Sequence, residues 1–443
     1  MPSSLSAIIR RPAMGSLATR MTARRVLVVV YPYPPMPNVG ANRWAAAGKY
    51  LVRMGHEVTV VTTSAFGGLP DDEARAVVRT GDLNTWAPLR KLLRRPALPA
   101  EGTGQPAVDK PPPGLLTRTI VPDPSVVSWA PMALRAVRRI IRRQRVDCIV
   151  TSGPHEATHL VALALGSRRP AWVADFRDGW GFQSLRADFP TAVQRKLDHE
   201  LERRVVQSAG AVMAATPPIA EDLRDRFGVE ASYVPNGWDP DLEGEVAAAE
   251  PVPLEDGVVN LVHTGFLSAG SGRNPRPLFD ALTLLVRDEP EVAGRLRLVL
   301  AGRLMPEDEL LVSRPELTGV VRYLGALPRT RALALQRQGD ALVLVTSRQS
   351  GEATGKLFEY LASGRPILAL ADGNAAARIV EETGTGVTVP PDDVDAIAAV
   401  LRRAASHELE RSFRPRGLER YRYPELTQLF VDEIERAMAR RGG

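Results

Sequence analysis

The sequence predicts an α/β protein of two consecutive domains, each built on a parallel sheet covered by helices. Three observations carry this. The chain has 443 residues, more than a single hydrophobic core usually supports. Short apolar runs recur along it, such as Val26-Leu27-Val28-Val29-Val30 and Ala341-Leu342-Val343-Leu344-Val345, and strands buried on both faces read this way. Amphipathic stretches of helical length separate the runs, and an acidic segment containing Ala and Pro, 239–257, interrupts the series once.

Residues 1–24 carry Arg10, Arg11, Arg20 and Arg24 without a sustained apolar core. They read as a disordered extension rather than a secretory signal. A first strand is expected over 25–31, then a proline-rich loop, a helix ending at Met54-Gly55 and a second strand over 56–63. This βαβ opening lacks G-x-G-x-x-G after its first strand, and its second strand ends Thr62-Thr63-Ser64 rather than on an acid. Both marks of a nicotinamide site are missing. From 67 to 123 the chain turns irregular, with Pro111-Pro112-Pro113 and a basic segment over 90–95. A helix over 131–145 surrounds Leu134, Val137, Ile140 and Ile141 with Arg135, Arg138, Arg139, Arg142 and Arg143. It reads either as a solvated face or as a surface for anionic lipid headgroups, at about 1 kcal/mol per basic residue.

Further strands are expected over 147–151, 171–176, 210–215 and 231–235, with a helix near 191–208. The first domain is therefore 25–238 and the linker 239–257. A second series follows at 259–264, 296–301, 320–324, 341–346, 366–370 and 387–389, making a second domain over 258–423. The last stretch, 424–443, is amphipathic with no strand after it, and no fixed-period repeat stands out. Cys148, the only cysteine, lies in an apolar strand, which excludes disulfides, argues against a metal cluster and fits a reducing cytosol. No run approaches the roughly 20 apolar residues that cross a bilayer. The net charge is +6, but the basic residues lack interleaved aromatics, so no nucleic-acid partner is expected.

The stretch most informative about chemistry is 350–366. A small-residue loop, Ser350 to Thr354, runs into a short helix that Gly364 and Pro366 stop. Its start leaves backbone N–H groups free and adds partial positive charge. Lys356 and Glu359, three residues apart, share one helical face. The result suits a nucleoside diphosphate: amides and Lys356 for phosphate, Glu359 for ribose hydroxyls. The competing account is a helix cap with a surface Lys–Glu pair.

Several strings resemble a known family when taken in order. They are Gly40-Ala41-Asn42-Arg43, Val234-Pro235-Asn236-Gly237-Trp238-Asp239, Thr264-Gly265-Phe266-Leu267, Val299-Leu300-Ala301-Gly302-Arg303, Tyr323-Leu324-Gly325 and the run from Gly355 to Pro366. The chain from 25 to 437 resembles the large retaining family of GT-B glycosyltransferases called family four (glycosyltransferase group 1 type). Ala174-Asp175-Phe176-Arg177-Asp178-Gly179-Trp180 is similar to a motif of the branch that builds bacterial surface polysaccharides. The resemblance implies two Rossmann-like domains facing each other across a cleft, with the final helix crossing back to the first. There is one departure. The family's paired glutamates are separated by seven residues, which puts the first on Gly351, and Glu352 is one position off.

The resemblance implies transfer of a hexosyl group from a UDP- or GDP-sugar to a glycan, lipid-linked or small-molecule acceptor. It implies no cofactor and no metal, the nucleotide sugar being a substrate. Charge developing on the diphosphate must then be met by side-chain cations and amides. The candidates are Gly265, Arg273, Lys356, Thr354 and Gly355, with Gly302 nearby, Glu359 on the ribose, and Gly40 and Ala41 letting first-domain backbone approach; Arg276 is close enough to replace Arg273, and Arg43 is a further candidate cation. Arg177, Asp178 and His155 lie at strand carboxyl ends, where open sheets place ligands, and are candidates for the acceptor site, with Asp178 and His155 counted beside Arg273 and Lys356 as candidate catalytic residues. An Arg–Asp pair stabilising its own loop, and a histidine capping a helix, compete with these roles. His159 lies one turn beyond His155, but further metal ligands are lacking. A cytoplasmic protein, docked through its basic helix at the inner membrane face, is expected. The alternatives are a GT-B nucleotide-sugar epimerase and a non-catalytic nucleotide-binding relative.

Overall fold

A computed structural model describes residues 22–36, 39–73, 76–82, 120–122, 126–183, 189–267 and 272–442. The first sheet has seven parallel strands: β1 (Arg25–Val30), β2 (Glu57–Thr63), β3 (Val77–Thr80), β4 (Cys148–Ser152), β5 (Ala171–Phe176), β6 (Ala211–Ala214) and β7 (Ala231–Tyr233). Their order is β3-β2-β1-β4-β5-β6-β7. The second sheet has six: β8 (Val259–Thr264), β9 (Leu296–Ala301), β10 (Val321–Tyr323), β11 (Ala341–Val345), β12 (Ile367–Leu370) and β13 (Gly386–Val389), in the order β10-β9-β8-β11-β12-β13. Each order reverses direction once, between β1 and β4 and between β8 and β11. Beyond the carboxyl ends of those pairs lies the crevice where open α/β sheets bind ligands.

Alternate residues of each strand enter different cores, as a period of two demands. Leu27 and Val29 pack under the helices Ala130–Arg143 and Ala157–Leu163, while Val26, Val28 and Val30 pack under Val39–Arg53 and the last helix, Tyr423–Gly442. The second sheet divides likewise, with Val343 on one face and Leu342 and Leu344 on the other. The terminal helix returns to the first domain as expected: Phe430 meets Trp44 edge-on at 5.1 Å, and Leu426, Val431 and Ile434 join the same core.

Two details differ from the expectation. β3 lies within the stretch read as irregular, because four residues are too few to show a period. Arg24, assigned to the N-terminal extension, is anchored by a two-pronged bond to Glu435 at 2.6 and 2.8 Å. Residues 1–21, the basic segment 90–95 and Pro111-Pro112-Pro113 lie outside the described residues.

The chain passes between domains at two adjacent places. The Trp238 amide donates to the Tyr421 carbonyl and the Tyr423 amide to the Trp238 carbonyl, both at 3.0 Å. Lys49 reaches Asp239 (2.5 Å) and Asp241 (2.7 Å), and Tyr50 donates to both carboxylates. The linker is thus pinned to the first helix of the chain.

Candidate active site

At the end of β8 the backbone turns through Gly265, whose φ of +92° favours glycine. Its amide donates to the Ala301 carbonyl at 2.7 Å. A Cβ on Gly302 would stand 1.9 Å from the Gly265 carbonyl oxygen. The two strand ends therefore touch backbone to backbone, and Gly302, expected near the donor, has Gly265 as its neighbour. The space left by the absent side chain of Gly265 is taken by Lys356: a Cβ there would lie 3.2 Å from its Cε and 3.3 Å from its Nζ.

Lys356 Nζ sits 3.0 Å from His263 Nε2 and donates to the Phe266 carbonyl at 3.4 Å. Burial and, next, the nearby Arg273 hold its ammonium down at about pKa 7. His263 is buried, and burial together with Lys356 keeps its imidazole neutral. Arg273 donates from Nε to Glu352 at 2.5 Å. The other Glu352 oxygen accepts from the Ser347 amide at 2.6 Å and from its hydroxyl. Glu352, one place off the family position, thus ties the loop after β11 to Arg273 in the loop after β8. Arg276 lies exposed at the start of the helix Arg276–Asp288; Arg273 is the one tied into the loop.

The helix Gly355–Ser363 begins beside this cluster. The first-turn amides of Gly355 and Lys356 have no partner inside the helix, and the buried Thr354 Oγ1 has no hydrogen-bond partner. From across the cleft Val39 covers the Cα of Gly355, so closely that a Cβ there would meet Val39 Cγ2 at 2.4 Å. Gly40 and Ala41 lie buried in the first turn behind it. The end of the Lys356 side chain packs on Gly265. One turn along, Glu359 pairs with Arg329 at 3.3 Å. Burial raises its carboxyl pKa, and Arg329, Gln336 and Lys356 oppose that rise. Gly355 and Glu359 line an interdomain cavity of about 680 Å³ with Val39, Asn42, Arg329 and Trp238.

On the first-domain side, Arg43 does not supply a ligand-facing cation. Its side chain is fully buried, paired with Asp175 at 2.9 and 3.1 Å, and it donates to the Val234 and Pro235 carbonyls. Trp44 and Ser152 also donate to Asp175, at 2.9 and 2.7 Å. The guanidinium turns inward because the ends of β5 and β7 offer it acceptors there. Arg177 pairs with its neighbour Asp178 at 2.5 Å, and the buried Arg177 Nε has no hydrogen-bond partner. His155 stands edge-on to Tyr31 at 4.9 Å. His159 is a core residue bonded to Thr151 Oγ1 at 2.8 Å and stacked on Phe176. Burial lowers it to about pKa 4. Among the described residues no group of three or more His, Cys, Asp or Glu could hold a metal ion.

The structure gathers Gly265, Arg273 and Lys356 at the ends of β8 and β11. Thr354, Gly355 and Glu359 stand along the adjoining helix. Arg177, Asp178 and His155 belong to the facing strand ends. Sequence reasoning missed two residues here. His263 reads as one of three polar residues, with Asn260 and Thr264, in a short strand, and only its place before Thr264-Gly265 could have flagged it. Gln183 lies in a loop without pattern. Its Nε2 donates to Ser350 Oγ at 3.0 Å, its Oε1 accepts from the Gly351 amide at 3.0 Å, and its carbonyl accepts from Gln349 at 3.1 Å.

Two family models match the chain: residues 38–237 match a glycosyl transferase 4-like domain and residues 265–407 match the glycosyl transferases group 1 domain. A phosphatidyl-myo-inositol mannosyltransferase from Mycolicibacterium smegmatis is 32% identical over 182 residues, which are 40% of this chain and 43% of that protein. The match thus spans less than half the length of that relative. Among solved structures, sucrose-phosphate synthase from Thermosynechococcus elongatus superposes with a TM-score of 0.59 at 17% identity, covering 95% of this chain and 97% of that one. A protein from Listeria monocytogenes named a putative UDP-N-acetylglucosamine 2-epimerase has a TM-score of 0.54 at 12% identity, with 93% of this chain and 96% of that one covered. At such identities these likenesses show the fold, which transferase and epimerase share. The paired domain models decide between them: the chain belongs to the GT-B group 1 glycosyltransferases.

Proposed function

We propose that this glycosyltransferase moves a hexosyl group from a UDP- or GDP-sugar to a glycan, lipid-linked or small-molecule acceptor, with retention at the anomeric carbon and without a metal. The observation that carries the reading is Lys356, a partly buried amine held against Gly265 beside Arg273. An amine drawn out of water without a carboxylate bonded to it is unfavourable as a cation, and a diphosphate beside it would supply the counter-charge, with Arg273 already held in place by Glu352. Arg273, Lys356 and the amides of Thr354 and Gly355 would take up charge as the leaving group departs. Glu359, beside the cavity, would bind the ribose. With front-face attack, a donor phosphate oxygen takes the acceptor's proton, so no side-chain base is required. Arg177, Asp178 and His155 would orient the acceptor, and a closed cleft would exclude water that hydrolyses the donor.

The test is release of nucleoside diphosphate from a panel of UDP-, GDP- and dTDP-sugars, with glycan and lipid-linked acceptors present. Turnover with one donor–acceptor pair, unchanged by EDTA, is the expected result. Silence across the panel overturns the reading, and epimerisation of UDP-N-acetylglucosamine followed by NMR would replace it.

The helix Ala130–Arg143 keeps Arg135, Arg138, Arg139, Arg142 and Arg143 exposed while Ala133 and Val137 are buried. Among the described residues no helix is long and apolar enough to cross a membrane. Docking of this helix on an anionic leaflet fits a lipid-linked acceptor. Flotation with liposomes should rise with the fraction of anionic lipid and fall with salt. Flotation independent of anionic lipid removes the membrane idea.

A further inference from the structure

The cluster beyond β8 contains one titratable side chain that the donor reading leaves unused. The ladder between β8 and β11 pairs Ala341 with Leu261 and Leu342 with Val262. Beyond it, the Val343 carbonyl is met by side chains. His263 Nδ1 lies 2.9 Å from that oxygen, and the Tyr360 hydroxyl donates to it at 3.3 Å. A carbonyl only accepts, so Nδ1 carries the imidazole proton. Nε2 is then a bare lone pair, and Lys356 Nζ stands 3.0 Å from it.

Resting on the donor reading of this site, we propose that His263 is a positioning residue for Lys356. Its imidazole accepts one ammonium proton and aims the remaining N–H at the donor diphosphate, so that donor binding is coupled to proton uptake at Lys356. An ammonium has three N–H groups. One meets His263 Nε2 and one the Phe266 carbonyl. The third exists only in the charged form, because a neutral amine has two. The charged groups facing Lys356 are Arg273 from the loop after β8, Glu352 from the loop after β11, and Glu359 on its own helix. Arg273 and burial favour release of the proton and hold the ligand-free amine at about pKa 7, against both glutamates. A bound diphosphate restores the proton. Affinity is therefore full below about pH 7 and falls as pH rises through that value, by up to tenfold per unit until the bound-state pKa is reached.

The experiment has two arms. In ligand-free protein, ¹⁵N NMR of the His263 ring should show Nδ1 protonated and Nε2 bare across pH 6–8. In the second arm, UDP-glucose and GDP-mannose are titrated calorimetrically at pH 6–9 in buffers of different ionisation heat. Their diphosphate diesters carry no proton of their own in that range. Wild-type protein should take up a fraction of a proton near pH 7.5. His263→Leu should bind tenfold or more weakly with altered uptake, and His263→Gln, whose amide oxygen reaches the Nε2 position, should recover most of the affinity. A ring protonated at Nε2 overturns the proposal, as does His263→Leu with wild-type affinity and proton uptake. Binding of neither donor by wild-type protein overturns the donor reading and the proton coupling together, and the ring signals then decide whether the His263–Lys356 bond stands.

Discussion

Lys356 is the side chain in which stability and function conflict most directly. Its surroundings push the amine from 10.5 to about 7, so the folded chain holds this proton less tightly than the unfolded chain does. Between those values the unfolded state binds more protons, and the contribution of this group to stability rises with pH. Lys356→Met keeps the shape and removes the charge. The ligand-free variant should melt above the wild type, each kcal/mol being about 2–4 °C for a domain of this size. The gap should be widest at or below about pH 7 and should narrow as pH climbs toward 10. The same variant should lose the thermal shift that a nucleotide sugar gives the wild type. Equal melting temperatures together with a retained ligand shift would show that the amine is neither strained nor in the site. That Lys356 and Glu359 share a helix just after a small-residue loop was legible from their spacing and from Gly364 and Pro366 beyond them. Arg43 was misread: a cation after a strand looks the same whether it faces a ligand or, as here, the buried carboxylate of Asp175 132 residues away. His263 was missed because a strand read by its Val and Leu alone leaves its polar members unexamined.

At the level of elements, apolar runs predict strands well and their ends poorly. Every strand except β3 was legible, the central ones because burial on both faces leaves a run of Val, Leu, Ile and Ala, and the edge strands β7, β10 and β13 from their place in the series. The chemistry happens at the ends, where β8 and β9 meet through Gly265 and Gly302. That meeting depends on atoms that are absent, which a residue pattern reports only as two glycines. Gly302→Ala should therefore act through the element it displaces. The new methyl carbon, placed 1.9 Å from the Gly265 oxygen, forces the turn after β8 to move, and Lys356 packs on that turn. Donor binding should weaken by at least tenfold in calorimetry, while far-ultraviolet circular dichroism stays that of a folded α/β protein. Wild-type donor affinity in this variant would mean that the Gly265 turn shifts freely and does not seat the lysine.

Across the whole molecule, the cleft is drawn together by contacts that no motif announced. Val39 rests on Gly355, and Gln183 bonds to Ser350 and Gly351. On the far side the domains are joined by two crossings bonded to each other at Trp238, Tyr421 and Tyr423. Motion about those crossings would separate Gln183 from its partners before it disturbed either core. The two side-chain bonds of Gln183 are exposed and neutral, each worth about 0.5–1.5 kcal/mol net. Losing both should shift the balance toward an open form by roughly tenfold, since 1.4 kcal/mol is a factor of ten. Gln183→Ala should therefore show a larger radius of gyration than wild type by small-angle scattering without ligand. Saturating donor should bring the two profiles together, because a ligand touching both domains restores the closed state by its differential affinity. Thermal unfolding should change little, as neither sheet loses a contact. Superposable scattering profiles without ligand would place the strength of closure in Val39 and the Trp238 crossings instead, and would make the Gln183 bonds passengers of a rigid pair of domains.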